Sequence, residues 1–203
     1  MLSPQFRLGL QLDRWRWYSR IADRLKTDVL VSSDKNLTKY LSLDPKLRFD
    51  ALVLFKSPLS AWSSFRKRAG SDDQDVIQAK LEKFVAAWCR EYDSALRFEP
   101  EGKKLFLHFD KFIAEPKTTI AVLLEALGLP SRNLEIDAVT RGKHGIGGND
   151  DFYESTQASG RIDIRSSPTP QLPKDEMSLI AASNAMNELY GQMLTRSRTL
   201  FGP

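Results

Sequence analysis

Apolar residues recur along this chain in two rhythms. Short apolar runs occur within Asp28 to Val31, Ala51 to Phe55 and Lys104 to Phe109, the last with His108 inside it. Each is too brief for a helix and lacks polar alternation, the pattern of strands covered on both faces in a parallel sheet. Longer stretches repeat at helical period: Leu12, Trp15, Tyr18, Ile21, Ala22 and Leu25 between residues 10 and 25, then Leu37 to Leu43. Ile77, Leu81, Phe84, Val85, Trp88, Tyr92 and Leu96 mark the longest, and Ile120, Leu123, Leu124 and Leu127 another. Lys174 to Leu194 is predicted as one closing helix, with Met177, Ile180, Ala181, Met186, Leu189, Tyr190 and Met193 on its apolar stripe. Boundary chemistry agrees: Ser57 before Pro58, one of Ser71, Asp72 or Asp73 before the long helix, and Glu115-Pro116 opening a helix that Gly128-Leu129-Pro130 stops. The predicted class is α/β, a short parallel sheet flanked by helices in a three-layer sandwich.

Two strand ends empty into small polar residues and cations. After Phe55 come Lys56, Ser57 and Pro58, so a helix starts directly at the strand's carboxyl end. Open α/β sheets bind ligands at that end, and the helix N-terminus offers a partial positive charge to a phosphate or sulfate. Ser57, Ser60 and Ser64 follow at spacings of three and four, which places three hydroxyls along one stripe. The structural alternative is a cap and solvated serines. After Val31, Ser32-Ser33-Asp34-Lys35-Asn36 repeats the theme. A third basic stretch is Arg141-Gly142-Lys143-His144, which opens a glycine-rich loop running to Asn149. Such a loop brings backbone N–H groups close to a phosphate, although it matches neither GxxxxGK[ST] nor GxGxxG. Residues 150–173 are polar and rich in Ser, Thr and Pro, the composition of a surface-lying or mobile segment. His108, inside the third apolar run, reads either as a base at a strand end or as a satisfied core group.

Composition narrows the class. A chain of 203 residues supports one ordinary core, and we expect a single domain over 1–203. Apolar residues make up 41% and charged residues 28%, with no apolar run of about eighteen, so no membrane span is expected. Residues 1–12 lack the pattern of a secretory leader, and a cytoplasmic location follows as an expectation. The single cysteine, Cys89, lies on the long helix and suits packing, and with two histidines no metal site is expected. The net charge of +4 and pI of about 9.2 favour acidic partners, whether nucleotides, nucleic acids or polyanionic glycans.

Taken together, these segments resemble the nucleotide-dependent sulfotransferases, whose sulfuryl donor is 3′-phosphoadenosine 5′-phosphosulfate. VLVSSDKNL (29–37) looks like the family's second strand and its Asp-Ser-Ser-Lys type turn, with the aspartate third rather than first. LFKSPLSAWSS (54–64) looks like the Arg-Asp-Pro segment that binds the 3′-phosphate through an arginine and a serine eight residues later; by that match Lys56 and Ser64 take those roles. LFLHFDKFIAEPKTTIAVLLEALGLP (105–130) is similar to the family's strand, acidic-leucine turn and Glu-Pro helix, and is the most specific match. HGIGGN (144–149) resembles the glycine-asparagine loop before the family's C-terminal part.

The resemblance implies a P-loop NTPase-like sulfotransferase fold and transfer of a sulfuryl group to a hydroxyl or amine acceptor, be it a sugar, lipid, peptide or small alcohol. Lys56, Ser57, Ser60, Ser64, Arg141, Gly142 and Lys143 would surround the 3′-phosphate. Lys35 would neutralise charge near the transferring group, and Asp34 or His144 would serve as general base. The donor enters as co-substrate, and this chemistry requires no metal. The family's first strand and its Gly/Ser/Thr-rich loop, which binds the 5′-phosphosulfate at mid-sheet, find no counterpart before Leu25. The expected sheet therefore lacks its first central strand, leaving inner edges that a replacement strand, a partner chain or an oligomer would cover. Two alternatives stand beside the enzyme: a non-catalytic or truncated relative that binds a 3′-phosphonucleotide or a partner chain, and a basic nucleic-acid binder. The last has no helix-turn-helix, zinc spacing or basic-aromatic platform behind it, so no specific nucleic acid is expected.

Overall fold

A computed structural model of the chain describes residues 49–69, 73–130 and 171–202, together with 23, 24 and 26. The chain divides into two compact units, Met1–Phe49 and Asp50–Pro203. The architecture below is that of the second unit. The expected helix at 10–25 lies outside the described residues except for Asp23 and Arg24, which are helical. The strand at 28–31, the helix at 37–43, the glycine loop and the polar segment 150–170 also lie outside them.

Strand β1 (Ala51–Phe55) leads through Lys56 and Ser57 into helix α1 (Pro58–Ala69), followed by α2 (Gln74–Arg97) and strand β2 (Lys104–His108). Helices α3 (Phe109–Ala114), α4 (Pro116–Leu127), α5 (Lys174–Ala182) and α6 (Asn184–Phe201) follow. Among the described residues the unit is α/β, mostly helical, around a short two-stranded parallel sheet flanked by helices. A two-helix crossover supplies the chain length that parallel strands need between them.

The strands pair directly, in register from Ala51 with Lys104 to Phe55 with His108. The edges on which β1 and β2 face each other are thus paired within this chain, with no replacement strand or partner between them. Their inner edges satisfy each other, which removes the cost of orphaned backbone groups. The ladder is anchored where it opens: Ala51 N–H donates to the Lys103 carbonyl at 2.7 Å, and Lys103 N–H to Asp50 Oδ1 at 2.7 Å.

Paired residues in a parallel ladder share a face. Phe55 and Phe106 lie on the face that packs into the core with Trp62, Ile77, Leu81, Trp88, Ile180, Met186 and Met193. On the opposite face Leu107 is buried, whereas Leu52 and Leu54 are 44% and 48% exposed. Helix α6 spans this arrangement, contacting β2, α2, α4 and α5.

Helix ends follow their chemistry. Asp73 is the cap of α2, its carboxylate accepting from Asp75 and Val76 N–H. At the other end Lys104 donates to the carbonyls of Leu96, at 2.9 Å, and Phe98, a cation placed on the negative end of the helix. Gly128 closes α4 in the left-handed region at φ 72°, with its N–H on Glu125 O and Leu129 N–H on Leu124 O. A Cβ there would meet nothing within 4 Å. Gly128→Ala is therefore expected to cost about 1 kcal/mol through backbone conformation alone, read from the denaturant midpoint.

Boundaries differ from expectation at three places, one of them the last helix, which runs to Phe201 rather than ending at Leu194. Strand β2 stops at His108 rather than Phe109, because the His108 N–H is taken by Ser197 Oγ of α6 at 3.2 Å and the chain turns into α3. The closing helix is two helices, since Ser183 leaves helical geometry (ψ 92°) and its oxygen accepts from Met186 N–H at 3.5 Å. Serine side chains compete with the backbone in this way, and here one caps the next helix.

Candidate functional site

The carboxyl ends of β1 and β2 bring together residues from three parts of the sequence. Lys56 and Ser57 follow β1, His108 and Phe109 lie at the β2–α3 junction, and Tyr190 and Ser197 come from α6. The Lys56 ammonium lies 4.1 Å from the centroid of the Phe109 ring. That cation–π contact holds the charge across the ends of both strands.

Behind Lys56, Ser57 caps α1. Its Oγ accepts from Ser60 N–H at 3.2 Å and donates to Ser60 Oγ at 2.9 Å, while its carbonyl accepts from Ala61 N–H at 2.9 Å. Ser57 and Ser60 thus place two hydroxyls at the positive end of a twelve-residue helix that begins two residues after Lys56. Ser64 Oγ instead donates to the Ser60 carbonyl at 3.0 Å. To donate to a phosphate its hydroxyl has to turn away from that bond. Among the sequence-derived candidates, Lys56, Ser57, Ser60 and Ser64 are described; Asp34, Lys35, Arg141, Gly142, Lys143 and His144 lie outside the described residues.

His108 is a satisfied group in this arrangement. Its Nε2 is 3.1 Å from the Tyr190 hydroxyl, and its ring meets Phe55 edge-on at 5.1 Å. Burial lowers its pKa, while Asp110 at 3.9 Å opposes and Arg198 reinforces the shift. Burial, with Asp110 adding to it, pushes the Tyr190 hydroxyl up. Phe109, Tyr190 and Ser197 escaped sequence reasoning. Phe109 looks like the last residue of an apolar run, Tyr190 like one more member of a helical stripe, and Ser197 like a polar residue past the expected helix end.

Elsewhere, a groove between α2 and α6 is lined by Cys89, Leu96, Leu189, Arg90, Arg97 and Arg196 among others, and it shares no residue with the strand ends. Burial pushes the Cys89 thiol up, away from nucleophilic chemistry. Among the described residues no cluster of three His, Cys, Asp or Glu side chains is placed to hold a metal ion. None of the described helices is long and apolar enough to cross a membrane. No family model, curated protein or solved structure matches this chain.

Proposed function

We propose that the chain is a sulfotransferase-like protein, with the three-layer P-loop-like architecture of that family lacking its first central strand, that binds the 3′-phosphate of a 3′-phosphoadenosine nucleotide at the carboxyl ends of β1 and β2. The observation that carries this reading is Lys56. It stands at the junction of a parallel strand with a serine-capped helix N-terminus, its ammonium over the end of the neighbouring strand. In sulfuryl transfer the attacking and leaving oxygens lie nearly in line across a loose transition state, so fixed positive charge and positioning do most of the work. Lys56 and the α1 dipole supply fixed charge on the 3′-phosphate side. A lysine grips phosphate as a point charge, without the two-pronged geometry of arginine.

A second reading is nucleotide binding without turnover, and the direct β1–β2 ladder favours it. The two strands spend their inner edges on each other, so the donor-side strand of the family has no place between them.

The experiment titrates purified 203-residue protein with adenosine 3′,5′-bisphosphate and assays turnover of 3′-phosphoadenosine 5′-phosphosulfate. Binding with turnover establishes the enzyme, binding alone establishes the second reading, and neither removes both. Lys56→Ala is expected to weaken the bisphosphate by about 1.5–3 kcal/mol, the loss of one charge-assisted contact. An unchanged affinity takes Lys56 out of the site.

A further inference from the structure

The phosphate reading leaves His108 unused, yet this side chain joins three elements. Phe55 of β1 packs edge-on to its ring, Asp110 of α3 lies 3.9 Å from Nε2, and Tyr190 and Arg198 belong to α6, whose Ser197 Oγ accepts from the His108 backbone N–H. Both oxygen neighbours lie on the same nitrogen: Tyr190 Oη is 3.1 Å and Asp110 Oδ2 3.9 Å from Nε2. That is unlike a catalytic triad, in which the orienting carboxylate and the substrate-side hydroxyl occupy opposite nitrogens. Nε2 has one lone pair or one proton to offer, and among the described residues only Tyr190 is within hydrogen-bond reach.

We propose that His108 and Tyr190 form an acid-released latch fastening the β2–α3 corner to the C-terminal helix. At neutral pH the Tyr190 hydroxyl donates to Nε2 of a neutral imidazole whose proton sits on Nδ1. A proton taken up from solvent at Nε2 fills the acceptor lone pair and breaks that bond. Reversing it would hold an imidazolium where burial and Arg198 disfavour it, with the half-exposed Asp110 carboxylate, 3.9 Å from Nε2, compensating in part. Burial favours the neutral ring in the folded protein, so the histidine pKa is lowered on folding. The sign follows: the unfolded chain takes the proton first, and the latch contributes fully above the ordinary value of 6.5 and is lost as pH falls through the folded value. The inference does not depend on nucleotide binding.

The chain has two histidines, so His144→Gln leaves His108 as the sole imidazole in the full-length protein. Its ring resonances, followed by NMR from about pH 8 to about pH 5, span the range in which histidine titrates. The expected result is an Nδ1-protonated tautomer at neutral pH and a midpoint below 6.5. In the same background Tyr190→Phe, which keeps the ring, should move the midpoint up. It should also reduce the folding equilibrium constant about two- to tenfold at neutral pH, with the loss shrinking in acid. An Nε2-protonated tautomer, or a midpoint that Tyr190→Phe leaves in place, overturns the latch.

Discussion

Glu176→Ala is expected to destabilise the fold by about 3–5 kcal/mol, the range for breaking a buried charged pair from one side. The Glu176 side chain is 2% exposed, and each of its oxygens has a separate donor. Trp62 Nε1 donates to Oε2 at 2.6 Å, and Arg66 Nε to Oε1 at 2.9 Å. Both donors come from α1, so one carboxylate on α5 fixes the helix that leaves Lys56. Removing it strands the N–H of a fully buried tryptophan and leaves Arg66, 31% exposed, without its counter-charge. The measurement is a denaturant midpoint at constant slope. In a Trp62→Phe background the penalty should shrink, because one of the two donors is already gone. A loss of the same size in both backgrounds would assign the effect to Arg66 alone.

Phe55→Ala should cost a similar amount, about 3–5 kcal/mol, by opening a cavity where the sheet meets α6. The Phe55 ring is fully buried, and it stands edge-on to His108 at 5.1 Å and to Tyr190 at 6.1 Å. It is also the last residue of β1, immediately before Lys56. The same substitution should therefore raise the midpoint of His108 toward its ordinary value, since the ring that buries the imidazole is removed. Stability lost without any change in the histidine titration would separate core packing from the strand-end cluster.

Elements with strong local signals were legible in the amino-acid pattern. The apolar run ALVLF, the Ser-Pro entry to α1, the stripe of α2 and the glycine stop of α4 each carry their own boundary chemistry, and each stands where the pattern puts it. Contacts between distant segments were not legible. Glu176 meets Trp62 across 114 residues of sequence, and Ser197 reaches His108 across 89; nothing local to either residue announces its partner. The direct pairing of β1 with β2 is of the same kind, because strand order depends on which edges meet rather than on what each strand contains. The break at Ser183 was visible in principle: a Ser-Asn pair inside an apolar stripe is cap chemistry, yet the helical period runs through it and hides the stop. At the strand ends, the residue pattern alone placed Lys56 and Ser57 between β1 and α1, where the structure has them. The ring under the ammonium belongs to Phe109, the first residue of α3, which follows the other strand.

The phosphate reading is tested most directly by comparing two ligands on one protein: adenosine 3′,5′-bisphosphate and adenosine 5′-monophosphate, titrated by calorimetry against wild type and Lys56→Ala. The account predicts that wild type prefers the bisphosphate by about tenfold or more, the worth of a charge-assisted contact to the 3′-phosphate, and that Lys56→Ala erases most of that preference. Equal affinities for the two ligands in wild type, or a preference that survives Lys56→Ala intact, would contradict it.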